Sequence, residues 1–255
     1  MVLRQLGHTG MQVSPLGFGA FKIGRNQKTH YGYAYNLPSD KATEQLLNGI
    51  LDLGINVIDT APAYGLSEKQ IGRFLPARRN EYILSTKVGE HFKEGISSYD
   101  FGSQAIRESV QKSLRQLRTD HLDIVFIHSS GADLEILNET AAVETLEALK
   151  SEGLVRAIGF SGRDTVAEQQ SLSWADVLMV EYHCENIDHR DVVCEAGKRG
   201  VGVIVKKGLA SGKLKPATAI PYVLKNPDIC TLAVGGLNLE HFRENTILAA
   251  SAVSR

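Results

Sequence analysis

From Leu16 to the C-terminus, short apolar runs alternate with stretches of helical periodicity. This is the pattern of repeated strand-helix units, in which each crossover helix returns the chain to add a parallel strand. Strands are expected near Leu16 to Phe18, Asn56 to Asp59, Tyr82 to Thr86, Ile124 to His128, Ala157 to Phe160, Val177 to Val180, Gly202 to Val205 and Leu232 to Val234. Eight such strands point to an α/β fold, a (β/α)8 TIM barrel rather than a doubly wound sheet. The chain length of 255 residues matches the roughly 250 typical of that barrel. No linker rich in proline, glycine or serine interrupts the alternation, so residues 1-255 are expected to form a single barrel domain. Helix starts carry recognisable chemistry. Ser39-Asp40 precedes the run Ala42 to Leu53, and Asp188 precedes a run that Gly200 can stop after Arg199.

Several functional classes are disfavoured by bulk properties. A formal net charge of -1 lacks the electrostatic footprint of a nucleic-acid-binding protein. Arg78-Arg79 and Lys206-Lys207 are small basic clusters, and the first reads best as a solvated helix end. The start Met-Val-Leu-Arg-Gln has no basic segment followed by a long apolar run, and no segment approaches the roughly 20 apolar residues that span a bilayer. A cytoplasmic protein without membrane contact is therefore expected. Cys184, Cys194 and Cys230 are odd in number and lack a Cys-x-x-Cys spacing, so neither a disulfide framework nor a metal site is expected.

The chemistry gathers at strand ends. Asn56-Val57-Ile58-Asp59 ends on a carboxylate and turns through Thr60-Ala61-Pro62-Ala63 into Tyr64. Tyr82-Ile83-Leu84-Ser85-Thr86-Lys87 ends on an ammonium, and Leu122 to His128 ends on an imidazole. In a parallel barrel these tips share one mouth. Each residue alone has a plainer reading: Asp59 as a helix cap or satisfied buried carboxylate, Tyr64 as a packed aromatic, His128 as a core histidine. Lys87 is hardest to explain that way, because an unpaired buried ammonium is expensive. Two further segments belong near the mouth. One is the stretch from Lys22 to Pro38 with Tyr31, Tyr33 and Tyr35; the other is a loop from Val88 to Gly102 with His91 and Phe92.

The ordered set Asp59, Tyr64, Lys87 and His128 resembles the catalytic tetrad of the aldo-keto reductase superfamily. The likeness covers nearly the whole chain. Leu6 to Gly19 is similar to the family's N-terminal β-hairpin cap and first barrel strand. Ser113 to Asp123, Leu154 to Ser161 and Glu240 to Asn245 match in order. The resemblance implies an NADPH-dependent carbonyl reductase, with NADH also possible, acting on a small-molecule aldehyde or ketone. Tyr64 would be the proton donor, Lys87 would lower its pKa, Asp59 would hold Lys87 charged, and His128 would donate to the carbonyl oxygen. No side chain supplies a hydride, so a nicotinamide must. No Gly-x-Gly-x-x-Gly unit is present, and the family lays an extended dinucleotide across the barrel mouth instead. By position, Gly19, Ala20 and Phe21 would touch it, Ser161 would meet the carboxamide, and the Lys207, Leu209, Ser211 and Gly212 segment would wrap the pyrophosphate. Gly236, Asn238, His241, Glu244 and Asn245 would face the adenosine end.

This chain departs from the family pattern at several of these positions. Gly162 follows Ser161 where asparagine is common, Met179 stands for the usual carboxamide-holding glutamine, and Lys206 replaces the aromatic that stacks on the nicotinamide. Gly235 and His241 replace a common lysine and arginine at the 2'-phosphate, leaving Lys207, Arg243 or His241 to pair with it. The chain also ends soon after its last helix, which implies an open, permissive pocket. Two other readings remain: a low-turnover nicotinamide-binding sensor or accessory subunit, and a barrel lyase forming a Schiff base through Lys87 or Lys206.

Overall fold

The computed structural model describes residues 1-29 and 34-253. In chain order the strands are β1 (Arg4–Gln5), β2 (Gln12–Val13), β3 (Leu16–Gly19), β4 (Val57–Asp59), β5 (Ile83–Val88), β6 (Glu90–Lys93), β7 (Ile96–Tyr99), β8 (Leu122–His128), β9 (Val155–Ser161), β10 (Val177–Glu181), β11 (Gly202–Lys206) and β12 (Thr231–Val234). Eight of them close into a parallel barrel in the order β3, β4, β5, β8, β9, β10, β11, β12 and back to β3. The eight strands inferred from the sequence are these eight, each within a few residues of its expected limits.

The helices are α1 (Phe21–Gly24), α2 (Asp40–Asp52), α3 (Ser67–Phe74), α4 (Ser103–Leu117), α5 (Asp133–Glu139), α6 (Ala142–Ser151), α7 (Thr165–Ser171), α8 (Arg190–Arg199), α9 (Pro216–Leu224) and α10 (Leu239–Val253). Ser39 caps α2 by accepting from the Ala42 amide, and Gly200 ends α8 at φ 71°. Among the described residues, no helix is long and apolar enough to cross a membrane.

Strand periodicity divides the core into two shells. Ile58, Leu84, Val125, Ile127, Leu178, Val203 and Val205 point outward into the layer beneath the helices. Their neighbours Val57, Ile124, Phe126, Ala157, Val177, Met179 and Ile204 fill the barrel lumen. The antiparallel β1-β2 hairpin closes the lower end, where Leu6 and Val13 are fully buried against the lumen cluster.

Residues 88-102 differ from the loop expected there. β6 and β7 form an antiparallel hairpin whose two turn residues, Glu94 and Gly95, hold φ of 52° and 81°. Positive φ at both central positions matches the twist of paired strands, so the Glu-Gly step closes a two-residue hairpin. Arg79 also differs from a solvated helix end. It donates 2.6 Å to Asp123, a buried carboxylate that also accepts from the Leu84 amide and from Arg156. Cys230 is buried, whereas Cys184 and Cys194 are exposed.

Gly159 lies on β9 where a Cβ would overlap the Val177 carbonyl oxygen and the Phe126 ring. Gly159→Ala should lower unfolding stability by about 1–3 kcal/mol, since backbone on one side and a lumen aromatic on the other leave little room to adjust. Urea denaturation of the two proteins measures it.

Candidate active site

The same period-two alternation builds the site. Two residues beyond the last lumen-filling side chain of a strand, the next inward position falls at the mouth. It is occupied by Asp59 on β4, Lys87 on β5, His128 on β8, Ser161 on β9, Glu181 on β10 and Lys206 on β11. Met179 belongs to the apolar layer below, buried in the lumen, and Glu181 holds the mouth position of that strand. Met179, expected at the cofactor, has its side chain in the lumen one layer beneath Glu181. A one-layer difference along a strand is enough to move a residue from the mouth into the core.

Lys87 is almost fully buried and is completely partnered. Its Nζ donates to Oδ1 and Oδ2 of Asp59 at 2.7 and 2.8 Å and to the Thr60 carbonyl at 2.9 Å, and Ser85 Oγ donates to Asp59 Oδ1 at 2.8 Å. Burial alone would push the Lys87 ammonium down, but the Asp59 carboxylate and Tyr64 outweigh it and hold its pKa above the ordinary lysine value. The ammonium lies 4.8 Å from the Tyr64 ring centroid. Burial raises the Tyr64 phenol above its ordinary value, and the Lys87 charge works against that rise.

Tyr64 is placed by a tight turn. Pro62–Tyr64 forms a single 3-10 turn after β4, followed by Gly65 at φ 63°. A Cβ on Gly24 would strike the Tyr64 carbonyl oxygen and Ser67, so α1 and this turn meet backbone to backbone. Thr60 Oγ1 donates to Ser67 Oγ at 2.8 Å, and Ser67 Oγ donates to the Ala20 carbonyl at 3.0 Å. Phe21 packs edge-on against Tyr64 with centroids 5.1 Å apart, and His128 faces the same ring at 6.4 Å and 85°.

Two residues that the sequence did not single out complete this corner. Glu90, at the base of the β6-β7 hairpin, brings Oε2 within 2.9 Å of His128 Nδ1, although it sits off the line of a regular hydrogen bond. Against the upward push of burial, contact with His128, Ser97 and Arg25 takes the Glu90 carboxyl down to about 2. Arg25 sits 3.8 Å from Glu90, stacks on Phe92 at 3.4 Å and donates to the Ala63 carbonyl at 3.1 Å. The alternation Glu90-His91-Phe92-Lys93 ahead of Glu94-Gly95 was the signal available for this hairpin. Tyr35 donates to the Arg25 carbonyl and lies under the Lys22 ammonium at 5.4 Å, whereas Tyr31 and Tyr33 fall outside the described residues.

A profile of the Aldo/keto reductase family matches residues 15–228. The chain belongs to the aldo-keto reductase family. It is therefore an NAD(P)H-dependent oxidoreductase. L-Galactose dehydrogenase of Arabidopsis thaliana is 34% identical over 226 residues, covering 83% of this chain and 66% of that protein. D-threo-Aldose 1-dehydrogenase of a Pseudomonas species is 29% identical over 194 residues, 67% of this chain and 56% of the relative. The chain thus spans somewhat less than two thirds of either relative. A candidate aldo-keto reductase of Pseudomonas aeruginosa superposes with a TM-score of 0.92 at 39% identity, covering 99% of this chain and 96% of that one.

In this aldo-keto reductase the remaining expected cofactor residues surround one side of the mouth. Gly19 ends β3, and Ala20 and Phe21 lead into α1. Ser161 ends β9, but its Oγ accepts from Lys206 Nζ at 2.9 Å, and the same ammonium donates to the Gly162 carbonyl at 2.7 Å. Burial takes Lys206 down to about 8, with Glu168 opposing. Lys207 pairs with Glu181 at 2.7 Å. Lys207, Ala210, Ser211 and Gly212 hold φ of 53°, 47°, 58° and 91°, and Leu209 lies within the same turn. Gly236 lies against the Phe242 ring, Asn238 accepts from the Glu240 amide at the start of α10, His241 and Glu244 are exposed, and Asn245 is buried.

Breaking the central pair should be severe. Asp59→Ala leaves the Lys87 ammonium buried without its counter-ion and should lower stability by about 3–5 kcal/mol. Adding Lys87→Met should recover part of that loss, which paired urea titrations would register.

Proposed function

We propose that this protein is an NADPH-dependent carbonyl reductase that converts small aldehydes or ketones to alcohols, with Tyr64 as the proton donor. One observation carries the reading: a fully partnered, buried Lys87-Asp59 pair lies beneath the Tyr64 ring, at a mouth that His128 also faces. Lys87 keeps its charge because Asp59 is beside it, and that charge stabilises phenolate as Tyr64 gives up its proton. His128 lies across from Tyr64 and orients the substrate oxygen between them. Phe21 packs edge-on against Tyr64, and the β6-β7 hairpin abuts the Tyr64 turn on the side away from β11.

The residues present fit an extended nicotinamide dinucleotide. Lys207, Ala210, Ser211 and Gly212 take left-handed backbone in the tight turn after β11, the segment we assign to the pyrophosphate. When bound, the nicotinamide supplies the hydride. Arg243 and His241, on the first turns of α10, are the candidates for the 2'-phosphate of NADPH; Lys207 is held closely by Glu181 at 2.7 Å, whereas Arg243 meets Glu240 at 3.3 Å. The names of relatives such as L-galactose dehydrogenase support chemistry at a carbon bearing oxygen.

One observation favours a second reading. Lys206 donates to the Ser161 hydroxyl, the group expected to meet the carboxamide, and to the Gly162 carbonyl, and this suits a protein that binds the cofactor but turns over slowly.

Tyr64→Phe should reduce turnover by about 10²- to 10⁴-fold while leaving the thermal transition in place. Oxidation of NADPH and NADH with a panel of aldehydes and ketones measures this, and undiminished activity in the variant would exclude Tyr64 as donor. Cofactor binding without turnover on any substrate would favour the second reading. Arg243→Ala should weaken NADPH binding up to about tenfold and leave NADH unchanged, as followed by protein fluorescence.

A further inference from the structure

Lys206 is a cation that the mouth does not neutralise. The carboxylates around the mouth are engaged elsewhere: Asp59 holds Lys87, Glu181 holds Lys207 at 2.7 Å, and Glu90 faces Arg25 and His128. Among the described residues no carboxylate forms an ion pair with Lys206. Its ammonium donates instead to two neutral acceptors, Ser161 Oγ at 2.9 Å and the Gly162 carbonyl at 2.7 Å. Glu168 of α7 acts on it from farther away, and Oε2 of that residue stands 2.6 Å from His189 Nδ1. Lys207, Lys87 and Arg163 add positive potential around the same group. Burial takes Lys206 down only to about 8, so at pH 7 it stays mainly charged. A charge held in this way acts strongly on whatever enters beside it, because the surrounding medium screens poorly.

The hydride-bearing ring has to come close to that charge. The carbon that receives hydride is bonded to the oxygen between Tyr64 and His128, so the ring must abut that point. Phe21 packs against Tyr64, and the β6-β7 hairpin abuts the Tyr64 turn. This leaves the side formed by the ends of β9 to β11, where Ser161 and Lys206 stand. Lys206 is near enough for its charge to bear on His128.

We infer that Lys206 makes the site select the reduced nicotinamide coenzyme over the oxidised one. The inference rests on the proposed reductase site and deepens it. The two forms share their phosphates, riboses and adenine and differ at the nicotinamide, which is a cation when oxidised and neutral when reduced. An ammonium without a counter-ion repels the first and not the second. The carboxamide is common to both, and the one N–H of Lys206 not engaged by Ser161 or Gly162 suits its oxygen. A reductase with this residue keeps reduced coenzyme bound and releases the oxidised product. The same charge opposes hydride transfer, which leaves the ring positive, so Lys206 favours occupancy over rate.

Isothermal titration calorimetry at pH 7 with NADPH and NADP⁺ tests the inference without turnover. Wild type should bind NADPH about tenfold more tightly than NADP⁺, and Lys206→Met should bring the two dissociation constants within about twofold of each other, chiefly by tightening NADP⁺. Lys206→Arg keeps the charge and should keep the preference. NADH and NAD⁺ should show the same change in ratio, because the 2'-phosphate cancels within each pair. If circular dichroism shows Lys206→Met to be unfolded, Lys206→Gln replaces it with the same expectation. Equal affinity of wild type for the two forms, or a ratio that survives removal of the charge, overturns the inference and leaves Tyr64 as the donor, which the Tyr64→Phe assay decides separately. Wild type that binds neither form overturns the inference and the reductase reading together.

Discussion

The contact between Lys87 and Asp59 is the interaction on which the rest of the mouth depends. Adjacent strands deliver it: β4 and β5 pair with Asp59 opposite Ser85, and Lys87 stands one inward position further along. In this low-dielectric pocket neither charge is tolerable alone, and the bidentate geometry with the Thr60 carbonyl satisfies both. Such a pair is not a large source of stability in itself. What it does is hold a permanent positive charge under an aromatic hydroxyl without spending that charge on solvent. A barrel with an apolar lumen and a sealed lower end, as the β1-β2 hairpin provides, is a suitable frame for this.

The barrel does its positioning by counting. Each strand alternates between the lumen and the helical layer, so its last inward residue faces the mouth at a depth fixed by the register with its neighbours. Asp59, Lys87, His128, Ser161, Glu181 and Lys206 are brought to one ring in this way. Outward residues serve the opposite side. Thr86, next to Lys87, turns to the back of the sheet and donates to Glu68 of α3, a buried carboxyl that burial pushes up. The same strand therefore supplies the buried ammonium at the mouth and a tie to α3, which follows the Tyr64 turn.

Most of the barrel could be read in the sequence, because eight apolar runs with two-residue periodicity admit few arrangements. That Asp59, Tyr64, Lys87 and His128 meet at the mouth was also legible, since charged residues ending apolar runs have few places to go. Met179 shows what such reading leaves out. Depth within a strand depends on interstrand register, and nothing in a single strand's residues reveals that its mouth position is taken by Glu181. Arg79 was misjudged for a related reason: its partner Asp123 lies 44 residues away, on a strand whose ends alone were considered. Glu90 and Arg25 were invisible because their importance comes from what they touch. The hairpin that places Glu90 was signalled only by a Glu-Gly step amid ordinary polar residues.

That hairpin stands apart from the barrel ladder. β6 and β7 pair only with one another, their turn residues project outward, and Ile96 at the tip is largely exposed. A side chain on a strand changes face when the chain is shifted by a single residue. An insertion or deletion at the base of the hairpin would therefore rotate Glu90 away from His128 while every barrel residue kept its place. The carboxylate nearest His128 is thus held on a module outside the barrel ladder, and evolution can replace it without disturbing the barrel.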